Sequence, residues 1–266
     1  MLRRLDAELV RRGLARSREA AKELIEQGRV EVAGIRATKP ASQVRDEVSI
    51  RLLDAEVDHY VSRGAHKLIG ALDRFEAAGL TVADRLALDA GASTGGFTQV
   101  LLERGARKVL AVDVGYGVLA WPIRNDERVH VYERTNIRYL QPGELSFAPE
   151  LIVADLSFIS LRTVLPALMA VATANCDLVL MVKPQFEVGR ELAGEGVVRD
   201  PRLRAQAVMG VAHALQEAGA GVRDIVASPL PGPSGNVEYF VWASRGVALH
   251  TEIEQLVAQA VSEGPQ

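Results

Sequence analysis

The sequence predicts an α/β protein in two parts: a Rossmann-like, doubly wound sheet preceded by a small α+β module. Three observations predict it. From about residue 85 onward, short apolar runs alternate with helical patterns, the rhythm of a mainly parallel sheet wrapped by helices. Small residues from Gly91 to Gly96 directly follow the first of those runs. Residues 1–45 carry a charge of +5 and the rest of the chain −8, so a basic module precedes an acidic body. A chain of 266 residues has room for one large or two modest domains.

In the basic part, Leu5, Leu9 and Val10 mark a helix over 5–13 that stops at Gly13. Ser17 is placed to cap a second helix with the stripe Ala20, Ala21, Leu24 and Ile25, closed by Gly28. Val30–Val32 reads as a short strand before a turn at Gly34, and Val48, Ile50 and Leu52 alternate like another. Arg11, Arg12, Arg16, Arg18 and Lys22 fall off the apolar stripes and gather on a solvent face. Such a face suits an anionic partner, and charge alone suits plain solvation equally. Residues 54–60 read as a connector, giving a module at 1–57, a linker at 58–64 and a body at 65–266.

In the body, Ser62 is placed to cap a helix carrying Leu68, Ile69, Leu72 and Phe75. Strands are expected at 85–89, 108–113, 129–132, 151–155, 177–183, 222–228 and 237–243. Helices are expected at 94–104, 161–173 and 201–218, and Ile253, Leu256, Val257, Ala260 and Val261 mark a last one. The near-continuous apolar run 177–183 is expected where both sheet faces are covered.

Several classes are excluded. The single cysteine, Cys176, permits neither a disulfide framework nor a Cys-rich zinc site, and no metal is expected. The charged N-terminal stretch has no apolar core of a signal peptide. The longest apolar stretch, about 163–174, falls short of the roughly 18–20 residues that span a bilayer. A cytoplasmic protein with no membrane role is the expectation.

The first body strand runs into Asp89-Ala90-Gly91-Ala92-Ser93-Thr94-Gly95-Gly96-Phe97, and the second ends in Asp113, 22 residues after Gly91. An acid at that distance is placed to accept hydrogen bonds from ribose hydroxyls. The glycine spacing departs from the G-x-G-x-x-G of dinucleotide sites, and Asp89 suits a cationic, amino-bearing ligand. That favours S-adenosylmethionine over a pyrophosphate. A glycine-rich turn without ligand would leave Asp113 unexplained. Four further charges sit where a core would not want them: Lys67, Asp155, Lys183 and Glu238. Each alone is a polar residue near an element's end. Asp155 and Lys183 end adjacent strands at the edge where open α/β sheets build sites, and together the four form a Lys-Asp-Lys-Glu set.

Residues 2–55 resemble the S4 RNA-binding domain, most specifically in GLARSREAAKELIEQGRV. The four charges with the DAGASTGGF loop resemble the FtsJ-like ribose 2′-O-methyltransferases. With SRGAHKL, DVGYG, ERTN, VADLSFISL, VKPQFEVG and SPLPGPSGNVEYF in order, the whole chain resembles the TlyA family, named as hemolysins and methylating cytidine riboses in ribosomal RNA. Asp58-His59-Tyr60-Val61 departs from relatives with an Arg and a Trp there, which bears on domain coupling.

The resemblance implies a Rossmann-like S-adenosylmethionine methyltransferase sheet behind an S4 domain. It implies catalytic roles for Lys67, Asp155, Lys183 and Glu238. It implies cofactor contacts at Asp89, Gly91, Ser93, Thr94, Gly95, Gly96, Phe97, Asp113, Val114, Asn136 and Asp155, and RNA contacts at Arg4, Arg11, Arg12, Arg16, Arg18, Lys22 and Arg63. The implied partner of this monomer is 16S or 23S ribosomal RNA, or both, within the subunits, and the C-terminal helix through VSEGP resembles members with two targets.

A ribose hydroxyl is a poor nucleophile and needs a positioned base. A lysine serves if burial and a second cation lower its pKa. Lys183 is the candidate base and Lys67 the neighbouring cation, with Asp155 and Glu238 orienting them. The lysines could instead be phosphate clamps. Cytosine C5-methylation needs a cysteine nucleophile, and Cys176 precedes a strand. The Asn/Asp-Pro-Pro-Tyr/Phe tetrad of amine methylation is absent, as Asp155-Leu156-Ser157-Phe158 stands there. A pore-forming hemolysin, a non-enzymatic RNA-binding or assembly factor, and a dinucleotide-dependent oxidoreductase are the alternatives.

Overall fold

The computed structural model describes residues 2–53, 59–189, 194, 196–232, 234–248 and 252–264. The connector reading at 54–60 and the linker start at 58 therefore lie partly outside the described residues. The chain forms two compact units, Met1–His59 and Tyr60–Gln266.

The first unit holds β1 (Leu2–Arg4), α1 (Leu5–Arg11), α2 (Arg18–Glu26), β2 (Val30–Val32), β3 (Ile35–Arg36), β4 (Gln43–Arg45) and β5 (Ile50–Leu52). β1 pairs antiparallel with β4, and β2 lies between β3 and β5. Leu5, Leu9, Ala21, Ile25, Val30 and Val44 form the core. Ser17 caps α2 as expected, its Oγ accepting from Ala20 N at 3.1 Å.

The basic face is not a free array of cations. Arg4 and Arg18 both donate to Asp6, and Arg11 and Arg12 both donate to Glu8. Arg12 also donates to the carbonyls of Val48 and Asp46 at 2.8 Å each, which makes it an internal strut. Arg4, Arg11 and Arg18 remain about half exposed, whereas the Arg12 side chain is 21% exposed. The paired guanidinium groups hold the Asp6 and Glu8 carboxyls down, each to about 2. Both carboxylates thus contribute stability that is present above the ordinary carboxylate range, near pH 4, and lost as pH falls toward 2. Replacing Glu8 with Gln should flatten this acid dependence, read as the urea midpoint of the Leu5 and Leu9 methyl NMR signals between pH 5 and pH 2. An unchanged slope in the variant would refute the assignment.

The second unit begins with α3 (Gly64–Ala77), β6 (Leu86–Ala90), α4 (Gly96–Glu103), β7 (Lys108–Val112), α5 (Trp121–Arg124) and β8 (Val129–Tyr132). A 3₁₀ turn at Ile137–Tyr139 leads to β9 (Leu151–Ala154), α6 (Leu161–Val171), β10 (Asp177–Val182) and α7 (Pro184–Glu187). After these come α8 (Pro201–Glu217), β11 (Ala220–Ala227), β12 (Tyr239–Arg245) and α9 (Ile253–Glu263). Ser62 does not cap α3: the N-cap is Arg63, and no side chain closes that end.

The seven strands lie in the order β8-β7-β6-β9-β10-β12-β11, a mixed sheet with helices on both faces, as the alternation predicted. Alternate residues of β10 enter opposite cores, Leu178, Leu180 and Val182 on one face and Val179 and Met181 on the other. That two-sided burial explains its continuous apolar run. Only β12 runs against its neighbours, with Val182 paired to Tyr239. This reversal carries the residue before β12, Glu238, to the edge where the parallel strands end.

Candidate active site

The site forms beyond the carboxyl ends of β6, β7, β9 and β10. Gly91 takes φ +89°, and a Cβ there would meet the Asp155 carbonyl oxygen at 2.5 Å. Gly95 takes φ +100°, where a Cβ would press on Leu119 and Ile123. Much of the glycine requirement in this loop is therefore set by the protein's own packing. Phe97 is buried against Phe240, and Ala120 N donates to the Thr94 carbonyl at 3.1 Å.

Asp113 organises the cofactor side. Ser93 N donates to its Oδ2 at 2.8 Å and Gly115 N to its Oδ1 at 2.6 Å. The carboxylate thus joins the loop after β6 to the loop after β7. With Val114, Asn136, Ile137, Leu156 and Val164 it lines a cavity of about 460 Å³. The Asn136 side chain also accepts from Arg138 N at 3.0 Å, which fixes the turn that carries it.

Asp89 is fully buried and lines neither this cavity nor the one beside it. Thr98 Oγ1 donates to its Oδ2 at 2.7 Å, while its Oδ1 has no hydrogen-bond partner. Burial pushes its carboxyl up to about 7. Thr98, in the first turn of α4, escaped the sequence reading because its hydroxyl lies on a helix that otherwise reads as apolar.

A second cavity, of about 550 Å³, shares Gly91, Ser93, Asp155 and Ser157 with the first. Lys67 and Lys183 open into it, and exposed Arg63 stands among its lining residues. The four charges resolve into two ion pairs. Lys183 Nζ lies 2.6 Å from Asp155 Oδ1 and donates to Ser157 Oγ at 2.9 Å. Lys67 Nζ donates to Glu238 Oε2 at 2.6 Å. Both lysines are buried, at 8% and 9% exposure. Each lysine thus faces one of the two carboxylates expected to orient them, and both lysines line the same cavity. Glu238 does not line the cavity and acts behind Lys67. A Cβ at Gly232 would stand 2.6 Å from Glu238 Oε1, so the backbone crosses directly over this carboxylate.

Ser157 and Glu187 were missed by sequence reasoning. Both lie inside motifs already singled out, VADLSFISL and VKPQFEVG, but neither a serine in a loop nor a glutamate after a proline signals its partner. Phe158 stands beside them at φ +64°, 92% exposed, its ring 5.3 Å from that of Phe186.

Comparison with known proteins bears on this geometry. The FtsJ-like methyltransferase model matches residues 60–245, and the S4 domain model matches residues 3–50. A 16S/23S rRNA (cytidine-2′-O)-methyltransferase, TlyA of Mycobacterium tuberculosis, is 56% identical, covering 98% of each chain. Hemolysin A of Brachyspira hyodysenteriae is 35% identical over 89% of this chain and 97% of its own. A solved structure from Streptococcus thermophilus that carries a hemolysin name superposes with a TM-score of 0.75 at 37% identity, covering 98% of this chain and 96% of that one. Among the described residues, no helix is long and apolar enough to cross a membrane.

Proposed function

The chain belongs to the FtsJ-like methyltransferase family, and on that premise we propose that it moves a methyl group from S-adenosylmethionine to a ribose 2′-hydroxyl of ribosomal RNA. The observation that carries this reading is the pair of adjoining cavities, one organised by Asp113 and the other by Lys67 and Lys183, with Asp155 at their junction.

The residues present fit the donor. Two backbone amides fix the orientation of the Asp113 carboxylate, whose remaining lone pairs can accept from two ribose hydroxyls. Ile137, Leu156 and Val164 offer an apolar slot for a purine, and Asp155 supplies negative charge for a cationic centre. When bound, the donor supplies a methyl carbon on a positively charged sulfur. The rest falls to this chain.

Lys183 Nζ has two acceptors in reach, Asp155 and Ser157. An uncharged amine has two N–H donors and one lone pair. In that form the hydrogen bond to Ser157 and the close contact with Asp155 hold the nitrogen in place, and its lone pair can take the 2′-hydroxyl proton. The 2′-oxygen gains the methyl group as its proton passes to Nζ, with no other group needed to hold it. Glu238 holds Lys67 at the cavity wall, where the ammonium can meet a substrate phosphate or oxygen. The first unit supplies the RNA grip, with Arg16 and Lys22 exposed and Arg4, Arg11 and Arg18 half-exposed on their carboxylates. Cytidine, the nucleoside named for the M. tuberculosis relative, is the target proposed here.

The test is transfer of tritiated methyl from S-adenosylmethionine to purified small and large ribosomal subunits, followed by mapping of the labelled nucleotide. Label on a cytidine 2′-oxygen is expected, and label on neither subunit overturns the reading. On the donor side, Asp113→Ala should weaken cofactor binding by about 1.5–3 kcal/mol, the range for hydrogen bonds to charged groups. Calorimetry checks it, and an unchanged Kd would remove Asp113 from the site.

A further inference from the structure

We propose that Glu187 is a positioning residue for methyl transfer: its buried side chain fastens the loop after β9 to α7 and thereby sets Asp155 and Ser157 on Lys183. The proposal rests on the reading of Lys183 as the proton acceptor.

The loop leaves β9 at Asp155 and enters α6 at Ser160. Its first half holds Lys183 through Asp155 and Ser157. Its second half is held by Glu187. Ser160 Oγ donates to Glu187 Oε2 at 2.6 Å, and Leu161 N donates to Oε1 at 2.7 Å. Arg162 adds a bond from Nε to Oε2 at 3.3 Å and one from Nη2 to the Glu187 carbonyl at 2.8 Å. Glu187 ends the short helix that begins directly after Lys183. The contacts therefore close a ring: Lys183 to Ser157, along the loop to Ser160, across to Glu187, and back through α7 to Lys183.

A helix cap alone does not account for this arrangement. Ser160 already caps α6 with its own hydroxyl, accepting from Arg162 N at 3.2 Å. A carboxylate at a helix N-terminus is favourable on the surface, where it stays hydrated. The Glu187 side chain is 2% exposed, so the chain bears a desolvation cost at this point. Inside the ring, Phe158 is held in the left-handed region, a conformation that persists only where the surroundings impose it. A shift of this loop moves both acceptors of Lys183 together. Misplacement by about 1 Å can cost on the order of 10²-fold in rate.

The experiment is a double-mutant cycle in the full chain, read as single-turnover methyl transfer to ribosomal subunits at saturating donor. Glu187→Gln keeps the size of the side chain but removes its charge and one of its two oxygen acceptors. We expect turnover to fall about tenfold or more, with donor Kd and subunit Kd unchanged. In a Ser157→Ala background the same change should cost clearly less than in the wild type, because one of the two contacts through which the loop acts on Lys183 is gone and only Asp155 remains. An equal factor in both backgrounds, or full activity of Glu187→Gln, overturns the proposal and leaves Glu187 a structural cap. Should Glu187→Gln fail to fold, Ser160→Ala deletes the same contact from the loop side and must show the same non-additivity. Lys183→Ala separates the two claims. If it keeps wild-type turnover, the base assignment fails; if it is inactive while the cycle is additive, only the ring fails.

Discussion

Lys183→Ala is expected to lower single-turnover methyl transfer by about 10²–10⁴-fold, the span of general-base contributions, with donor and subunit affinities intact. A base acts on the transition state, so its loss belongs in turnover and not in ground-state binding. The structure sharpens the comparison with Lys183→Arg. Nζ donates to Ser157 and lies 2.6 Å from the Asp155 carboxylate. A guanidinium keeps its charge, presents five N–H donors and offers no lone pair. If Lys183 accepts the proton, Arg should be nearly as inactive as Ala. If it only clamps a phosphate, Arg should restore much of the rate. Near-wild-type turnover in Lys183→Arg would remove the base from Lys183 and leave the methyltransferase assignment standing. Ser157→Ala gives an intermediate expectation, because it frees one N–H donor of the amine without removing the lone pair.

The body's fold was legible because its strands are buried on both faces, and continuous apolar runs such as 177–183 have no other good reading. The four charges were legible for the converse reason: ions at the ends of apolar runs need a purpose. Which carboxylate meets which lysine was not legible. It follows from β12 running against β10, which sets Glu238 at the same edge as Lys183, and a strand's direction leaves no trace in its own residues. The basic face of the first unit was visible as a count but not as a structure. Arg12 and Arg16 read alike in sequence, yet one braces two loop carbonyls while the other is solvent-exposed. Strands β1, β3 and β4 were missed because two or three residues are too few to show alternation. Asp89 looked like a ligand contact by its place before the glycine loop. Its partner Thr98 is found only once the strand and helix are packed.

Glu238→Ala should destabilise the catalytic unit by about 3–5 kcal/mol, the cost of leaving one member of a buried pair uncompensated. Lys67 is 8% exposed and Glu238 1%, so water reaches the ammonium only from the cavity side and the far side of the pair is left uncompensated. The truncation also empties the space beneath Gly232, where the backbone packs on Glu238 Oε1. Stability and chemistry are separable here. The double change Lys67→Met with Glu238→Leu removes both charges while keeping similar volume, a replacement that is often neutral or stabilising for buried pairs. Its urea midpoint, followed by the fluorescence of buried Trp242, should return close to wild type. Methyl transfer should not return, because the ammonium that faces the 550 Å³ cavity is gone. Wild-type stability in Glu238→Ala would mean that Lys67 finds another partner or reaches water. Recovery of methyl transfer in the double variant would make the pair a structural device, and the chemistry would then rest on Lys183, Asp155 and Ser157 alone.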